Sequence, residues 1–212
     1  MKKAILFDLD GTLTDSGEGI INCAELALRH FGLPVPDKQA MRVFVGPPLD
    51  QTFIQFGVPA DKTEEAIAVY RSRYLTVGLF ENEPYPGIEE VLQKLKDAGH
   101  RLFVATSKPE ATSIRILEKF DLAKYFEKIC GASFDGSIST KEEVIAYLLS
   151  QVEDPGHALM VGDTTFDVIG AKAHGIETIG VSWGYGKVED MEKAGAKAIA
   201  HTMDELFALL DS

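Results

Sequence analysis

Two aspartates separated by one residue follow directly after a short apolar run near the start of the chain. The run is Ala4–Phe7, and the acids are Asp8 and Asp10. A run of this kind is typical of a buried strand, and open α/β sheets bind ligands at the carboxyl ends of such strands. Side chains at alternate extended positions share a direction, so both carboxylates can enter one pocket, where a cation or a proton must offset their repulsion. An Asp-rich hairpin turn is the alternative interpretation, because Asp10-Gly11 is a common turn dipeptide.

The composition is that of an acidic globular protein with room for a large core. The 212 residues are 45% hydrophobic and 25% charged, with a formal net charge of −12. This charge argues against nucleic acid or an anionic membrane as a partner, and an anionic substrate would need a metal or local cations. Cys23 and Cys130 provide no disulfide framework, and neither a signal peptide nor a membrane span is recognisable. We therefore expect a cytoplasmic protein.

Apolar runs with strand character alternate with helical patterns along most of the chain. The helical patterns include residues 88–98 and a segment that Ser139 and Glu142 open in the form of a capping box. This alternation predicts an α/β fold with a mostly parallel sheet and helices on both faces. The predicted strands are Ala4–Phe7, 102–105, 128–130, 158–161, 178–181 and, more weakly, Ala198–Ala200.

The first gap between strands is too long for a simple crossover. About 95 residues separate the first two runs, whereas a crossover with its helix needs a few dozen. Residues 16–82 show helical patterns, one of them opened by Asp61 and ending at Tyr74, and no clear strand. We interpret residues 16–82 as a small helical domain, inserted over the strand ends of a main domain formed by residues 1–15 and 83–212. A helical edge of the main domain is the alternative.

Two further polar segments lie where the predicted sheet would bring them to the same edge. One follows a predicted strand, and the other begins a predicted helix. Thr106, Ser107 and Lys108 follow the second run, where hydroxyl and backbone donors can hold a phosphoryl oxygen. Ordinary helix capping explains the same residues. Lys141 lies in the first turn of a predicted helix, where the macrodipole disfavours a cation, so an anionic partner would explain its position. A solvated surface lysine is the alternative.

A second pair of acids, Asp163 and Asp167, follows the run at residues 158–161. Their spacing of four residues would stack them on one face of a helix that starts there. Helix capping would explain one of the two acids, but less readily both.

Taken together, these four sites resemble the motifs of the haloacid dehalogenase superfamily, over essentially the whole chain. The resemblance implies a Rossmann-like core, an inserted small helical cap domain, and attack by Asp8 on phosphorus to form an aspartyl-phosphate. The motifs appear in the family's order: Asp8-Leu9-Asp10-Gly11-Thr12, then Thr106, then Lys141, then Gly162-Asp163 with Asp167.

The resemblance also implies a Mg²⁺ cofactor. The Asp8 carboxylate, the Asp10 backbone carbonyl and Asp163 are the implied ligands, with Asp167 either a ligand or a residue next to the ligands. Such hard oxygen atoms are those that Mg²⁺ prefers. The side chain of Asp10 is implied to protonate the leaving oxygen and then to activate water as a base.

The remaining implied roles concern the phosphoryl group and the substrate. Thr106 and the Ser107 amide would bind phosphoryl oxygens, while Lys141 would neutralise their charge. Lys108 and Arg42 are further candidates for substrate binding, although a surface charge also explains either residue. The segment 183–186, Trp-Gly-Tyr-Gly, is interpreted either as a binding rim or as a segment whose glycines serve the backbone.

Within the superfamily, the chain most resembles phosphoglycolate-phosphatase-like members, some of which are described as 5′-nucleotidases. Asp10 indicates phosphoryl chemistry, because the true dehalogenases lack this acid. Glu142 follows Lys141, where many phosphoglycolate phosphatases have proline, which weakens phosphoglycolate as the substrate. We expect a Mg²⁺-dependent phosphatase for small phosphorylated metabolites. A phosphosugar mutase of the same fold and a catalytically silent binding module are the alternatives, and the oligomeric state stays open.

Overall fold

The computed structural model describes residues 2–212, which contain a six-stranded parallel sheet. The α/β class expected from the sequence is confirmed. A separate two-stranded sheet pairs β2 (Thr14–Asp15) with β3 (Glu83–Pro84). The strands are β1 (Ala4–Phe7), β2 (Thr14–Asp15), β3 (Glu83–Pro84), β4 (Arg101–Pro109), β5 (Lys128–Ala132), β6 (Ala158–Gly162), β7 (Glu177–Val181) and β8 (Ala198–Ala200).

Helices connect these strands and also make up the long segment between β2 and β3. Short 3₁₀ segments occur at Arg42–Phe44, Ala60–Lys62, Gly78–Phe80 and Ala123–Tyr125. Within residues 2–212, no helix combines the length and apolar character needed to cross a membrane. The α-helices are α1 (Gly17–His30), α2 (Lys38–Met41), α3 (Leu49–Gln55), α4 (Thr63–Tyr74), α5 (Ile88–Asp97), α6 (Glu110–Lys119), α7 (Lys141–Ser150), α8 (Thr165–Lys172), α9 (Val188–Ala194) and α10 (Met203–Asp211).

The chain forms two compact units. Among the described residues, the first contains residues 2–14 and 84–212 and includes the six-stranded sheet; the second is Asp15–Glu83. In the second unit, α1 packs against α4, and α3 also packs against α4. Aromatic rings fill part of its interior, with Phe44 against Phe53 at a centroid distance of 5.1 Å and Tyr70 stacked on Tyr74 at 5.2 Å. The second unit therefore has an apolar interior of its own.

The strand order β5-β4-β1-β6-β7-β8 puts β1 at the centre of the main sheet. The chain leaves β1 toward β4 and β5, and later returns to the other side of β1 to form β6, β7 and β8. Such a reversal of strand order opens a crevice at the carboxyl ends of the strands, where ligands of open α/β sheets bind. Phe7 pairs in register with Val104 on β4 and Val161 on β6. The residues that follow these three strands are therefore brought to the same edge.

One buried cluster anchors this sheet against α7. Leu6 and Phe103 from the strands pack with Val144, Ile145 and Leu148 from α7, and each is at most 1% exposed. Burying a side chain of this size contributes roughly 1.5–3 kcal/mol relative to leaving it exposed. The packing fixes α7 against the sheet and so determines where its first residue lies.

The capping box of α7 lies one residue later than the sequence analysis predicted. The hydroxyl of Thr140 accepts from the Glu143 N–H at 3.2 Å, and the Glu143 carboxylate accepts from the Thr140 N–H at 2.9 Å. Ser139 and Glu142 have the same chemistry and spacing, so the local sequence did not distinguish the two registers.

Two other predicted boundaries are also wrong. Asp61 lies in a 3₁₀ segment, and α4 begins at Thr63. The second strand was expected to end at residue 105, but β4 continues to Pro109 with a shift of pairing register between Thr106 and Pro109. The partner strand β5 supplies this extra pairing, which local propensity does not encode.

Candidate active site

Asp8 lies directly after the central strand β1. Its backbone N–H donates to the Val161 carbonyl on β6 at 2.9 Å, which extends the strand pairing by one residue. The chain then turns tightly, because the N–H groups of Leu13 and Thr14 both donate to the Leu9 carbonyl, at 2.9 and 3.0 Å. Gly11 has a φ of +83°, which favours glycine. The turn at Asp10-Gly11 therefore exists, but it follows a strand of the parallel sheet and leaves Asp8 at the sheet edge.

Lys141 provides a buried positive charge beside Asp8. It is the first residue of α7 and is 5% exposed. Its Nζ lies 2.7 Å from Asp8 Oδ1 and 2.8 Å from Asp167 Oδ1, and it donates to the Ala105 carbonyl at 2.9 Å. These anionic partners offset the unfavourable helix macrodipole. The alternative of a solvated surface lysine is therefore wrong.

Asp163 and Asp167 reach the site from different elements. Asp163 directly follows β6, whereas Asp167 is the third residue of α8. Asp167 Oδ2 accepts from the Thr164 N–H at 3.0 Å and from the Thr164 hydroxyl at 2.9 Å. The other oxygen of Asp167 is the one that faces Lys141. The expected stacking of both acids on one helical face is wrong, because α8 begins only at Thr165.

Asp163 has its own hydrogen-bond partners, which the sequence analysis missed. It is 0% exposed. Its Oδ1 accepts from the Thr12 hydroxyl at 3.4 Å, and its Oδ2 accepts from the Tyr185 N–H at 2.7 Å. Thr12 belongs to the first motif but received no role, and Tyr185 lies in the segment 183–186. The glycines on both sides of Tyr185 were the available signal for a close backbone approach.

The carboxylates of the site carry more negative charge than Lys141 neutralises. Burial raises the pKa of Asp8 to about 6, with Asp167 and Asp10 adding to the shift while Lys141 opposes it. Burial and the charges of Asp167 and Asp8 also raise the pKa of Asp163 well above its ordinary value. Burial alone would lower the pKa of Lys141, but Asp167 and Asp8 outweigh it and raise that pKa. The site thus favours a further positive charge or a bound proton.

The carboxylate cluster fits a divalent metal ion. One oxygen from each of Asp8, Asp163 and Asp167 lies within 4.8 Å of the others, and all three residues are buried. Hard oxygen donors with an uncompensated negative charge are the environment that Mg²⁺ and similar cations favour. The residues present are therefore chemically suited to such an ion.

The end of β4 contributes the phosphate-binding candidates. Thr106 is buried, and its hydroxyl accepts from the Lys108 N–H at 3.2 Å. Ser107 is half-buried. The ammonium of Lys108, expected to contact substrate, forms an ion pair with Asp10 Oδ2 at 2.5 Å. This contact joins the turn after β1 to the end of β4.

The described structure brings most of the predicted site residues to one edge of the sheet. Asp8, Asp10, Thr106, Ser107, Lys108, Lys141, Asp163 and Asp167 all belong to the first unit. Arg42 instead belongs to the second unit, where it begins a 3₁₀ segment and is exposed.

A comparison with known protein families identifies the chain. The family described as haloacid dehalogenase-like hydrolase matches residues 5–181. The chain belongs to this family. The resemblance drawn from the four motifs is confirmed, and so is the enzyme class, a phosphatase of this family.

Individual relatives carry several different names. A 5′-nucleotidase of Pseudomonas aeruginosa is 42% identical over 189 residues, covering 88% of this chain and 86% of that protein. Tyrosine-protein kinase PtkA of Mycobacterium tuberculosis is 45% identical over 205 residues, covering 95% of this chain and 70% of the relative. The crystal structure of a predicted phosphatase from Clostridium acetobutylicum superimposes with a TM-score of 0.93 at 43% identity, covering 99% of this chain and 98% of that one.

Proposed function

We propose that this enzyme is a Mg²⁺-dependent phosphatase that hydrolyses small phosphomonoesters through a phosphoenzyme on Asp8. The observation that carries the proposal is the environment of the Asp8 carboxylate. This carboxylate is buried at the carboxyl end of the central strand, paired with Lys141 and close to two further acids. A weak carboxylate nucleophile needs such surroundings to approach an anionic phosphoryl group.

The metal would be held by Asp8, Asp163 and the backbone carbonyl of Asp10. A bound Mg²⁺ would screen the repulsion between the nucleophile and the phosphoryl oxygens and help to orient them. Asp167 uses one oxygen to accept from Thr164 and the other to pair with Lys141. We therefore propose that Asp167 acts next to the ligands and holds Lys141 in place, although one of its carboxylate oxygens is close enough to the cluster to bind directly.

The chemistry proceeds in two displacement steps. In the first, an Asp8 oxygen forms a bond to phosphorus, the bond to the leaving oxygen breaks, and Asp10 protonates that oxygen. In the second, Asp10 takes a proton from water while the water oxygen attacks phosphorus and the bond to Asp8 breaks. Thr106 and the Ser107 amide would bind phosphoryl oxygens, and Lys141 would neutralise their charge. The products are an alcohol and inorganic phosphate.

We propose nucleoside 5′-monophosphates ahead of phosphoglycolate as the preferred substrate class. The Glu142 that follows Lys141 and the 42% identity with a 5′-nucleotidase both support this order. We assign substrate selection to the second unit, with Arg42 as a candidate contact. Exchange of residues 16–82 for those of a relative should change relative substrate rates while an activated aryl phosphate is still hydrolysed. Unchanged relative rates would contradict this assignment.

Phosphate release across a panel of substrates tests the proposal. The panel contains nucleoside monophosphates, phosphoglycolate, sugar phosphates and pyrophosphate, each with Mg²⁺ and with EDTA. We expect Mg²⁺-dependent release, and acid-quenched enzyme should carry a labile phosphate on Asp8 that Asp8→Asn abolishes. Full activity after thorough chelation, or a phosphate on another residue, would overturn the mechanism. An isomeric sugar monophosphate in place of free phosphate would indicate the mutase instead.

The 45% identity with a protein named as a tyrosine-protein kinase favours a second candidate function, phosphoryl transfer to tyrosine. The same enzyme is incubated with γ-labelled ATP and a tyrosine-containing peptide, and phosphotyrosine and free phosphate are both measured. Free phosphate from monoesters without phosphotyrosine would support the phosphatase. Phosphotyrosine that depends on Asp8 would favour the kinase.

A further inference from the structure

We propose that the segment 183–186, Trp-Gly-Tyr-Gly, is a positioning loop that holds the Asp163 carboxylate in place and thereby sets the affinity for the metal ion. This inference rests on the proposed metal dependence. The loop follows β7, the neighbour of β6 in the sheet, and Asp163 directly follows β6. The two segments therefore leave the sheet side by side.

Glycine backbones of this loop enclose Asp163 so closely that no side chain fits between them. A Cβ added at Gly184 would overlap Cβ and Oδ2 of Asp163, and one at Gly186 would overlap the Asp163 carbonyl oxygen. In the turn after β1, a Cβ at Gly11 would also overlap Asp163 Oδ2. Three glycines, two in this loop and one in the turn after β1, therefore limit the positions that this carboxylate can adopt.

Hydrogen bonds fix the orientation within this enclosure. The Tyr185 N–H donates to Asp163 Oδ2 at 2.7 Å, and the Thr12 hydroxyl lies 3.4 Å from Oδ1. Each carboxylate oxygen thus has a different donor, so rotation of the group exchanges or loses both contacts. The bond from Tyr185 has the length of a strong hydrogen bond, whereas the contact from Thr12 is long, so the Tyr185 N–H is the main donor to this carboxylate.

The loop is also tied to the segment that contains the nucleophile. The indole N–H of Trp183 donates to the Thr12 carbonyl at 3.3 Å, and its ring packs near that of Tyr85 at a centroid distance of 6.3 Å. Thr12 is therefore held by Trp183 through its carbonyl while its hydroxyl faces Asp163. The indole consequently links the position of Asp163 to the turn that carries Asp8 and Asp10.

Groups that orient a metal ligand are expected to matter for metal binding. Loss of such a partner typically lowers metal affinity about 10- to 100-fold. The Asp163 carboxylate is fully buried and close to Asp8 and Asp167, so electrostatic repulsion favours any displacement that the loop would permit. A loop that prevents this displacement keeps a ligand oriented before the ion binds.

Calorimetric titration with Mg²⁺ alone tests the proposal without using catalysis. For Gly184→Ala, the dissociation constant for Mg²⁺ should rise by about 10- to 100-fold. For Trp183→Phe, which removes one hydrogen bond and keeps a ring, the rise should be about 2- to 10-fold. Phosphatase activity should show the same shifts in the Mg²⁺ concentration for half-saturation. If Gly184→Ala does not fold, Trp183→Phe still decides the question.

Gly156→Ala is the matched control. Gly156 lies before β6, at the opposite end of the strand from Asp163, and among the described residues nothing lies within 4 Å of an added Cβ. Its φ of +59° makes the substitution strained, so it measures the effect of a general loss of stability on Mg²⁺ binding. A shift equal to that of Gly184→Ala would overturn the proposal, as would unchanged Mg²⁺ affinity in both loop variants. If the wild-type enzyme binds no Mg²⁺, the proposed metal dependence itself fails.

Discussion

Replacing Asp8 with asparagine should stabilise the metal-free protein at neutral pH, although it removes the proposed nucleophile. Burial raises the pKa of Asp8 from 3.8 to about 6, against the opposing effect of Lys141. A carboxyl group with a raised pKa binds more protons in the folded than in the unfolded state. The free energy of unfolding therefore falls as pH rises from the unfolded pKa through the folded one. Asparagine resembles the protonated carboxyl group and does not incur this loss.

The expected gain in the free energy of unfolding follows from the change in the pKa of Asp8. A shift of about two pKa units is worth about 3 kcal/mol at 1.36 kcal/mol per unit. As pH rises, the contribution of Asp8 to the free energy of unfolding of the wild type falls by about 1 kcal/mol up to pH 4.5. It falls by about 2 kcal/mol more between pH 4.5 and 7.5. Lys141 is not left without an anionic partner in the variant, because its ammonium still lies 2.8 Å from Asp167 Oδ1. The gain is therefore not offset by an isolated buried cation.

Urea unfolding in EDTA at pH 4.5 and pH 7.5 measures this effect. The stability of Asp8→Asn relative to wild type should increase by about 2 kcal/mol between the two pH values. Comparison of the two pH values cancels any packing effect that does not depend on pH. Saturating Mg²⁺ at pH 7.5 should reduce or reverse the difference, because the wild type retains the ionic ligand. A difference that is equal at both pH values, or that decreases with pH, would refute the reasoning.

Three further outcomes are expected. Asp10→Asn with an activated aryl phosphate should show a burst, because departure of this leaving group needs little acid help, and then turnover slowed by ~10²–10⁴, because hydrolysis of the proposed phosphoenzyme would lack its base. Quench-flow measures this, and the absence of a burst would contradict it. Lys141→Met should lower the free energy of unfolding of the metal-free protein at pH 7.5 by about 3–5 kcal/mol, because buried carboxylates lose their ammonium partner. Urea titrations measure this change, and unchanged stability would contradict the ion pairing. EDTA should abolish phosphate release and Mg²⁺ restore it, whereas Ca²⁺, which is larger and takes more ligands, should restore it poorly.

The candidate site residues could be predicted from the sequence because each motif stands next to a locally recognisable element. Asp8 follows an apolar run that is a buried strand, and Lys141 follows a capping pattern that begins a helix. Where two local patterns were equivalent, the prediction failed. The capping residues Ser139 and Thr140 have the same chemistry, and packing of α7 on the sheet is consistent with the second register. The boundary of β4 was missed because the pairing of its last residues depends on β5.

Hydrophobic periodicity was sufficient to predict the α/β class, because it is a property of contiguous segments. The family and the residues of the carboxylate cluster were predicted from the resemblance of the four motifs to those of a known family. The partners of those residues required the folded chain. Lys108 meets Asp10 across 98 positions, and Thr12 meets Asp163 across 151 positions. Such pairs form only when strand order and register bring distant segments to one edge of the sheet. The charge balance around Asp8 and the enclosure of Asp163 follow from those long-range contacts, and local propensity carries no information about them.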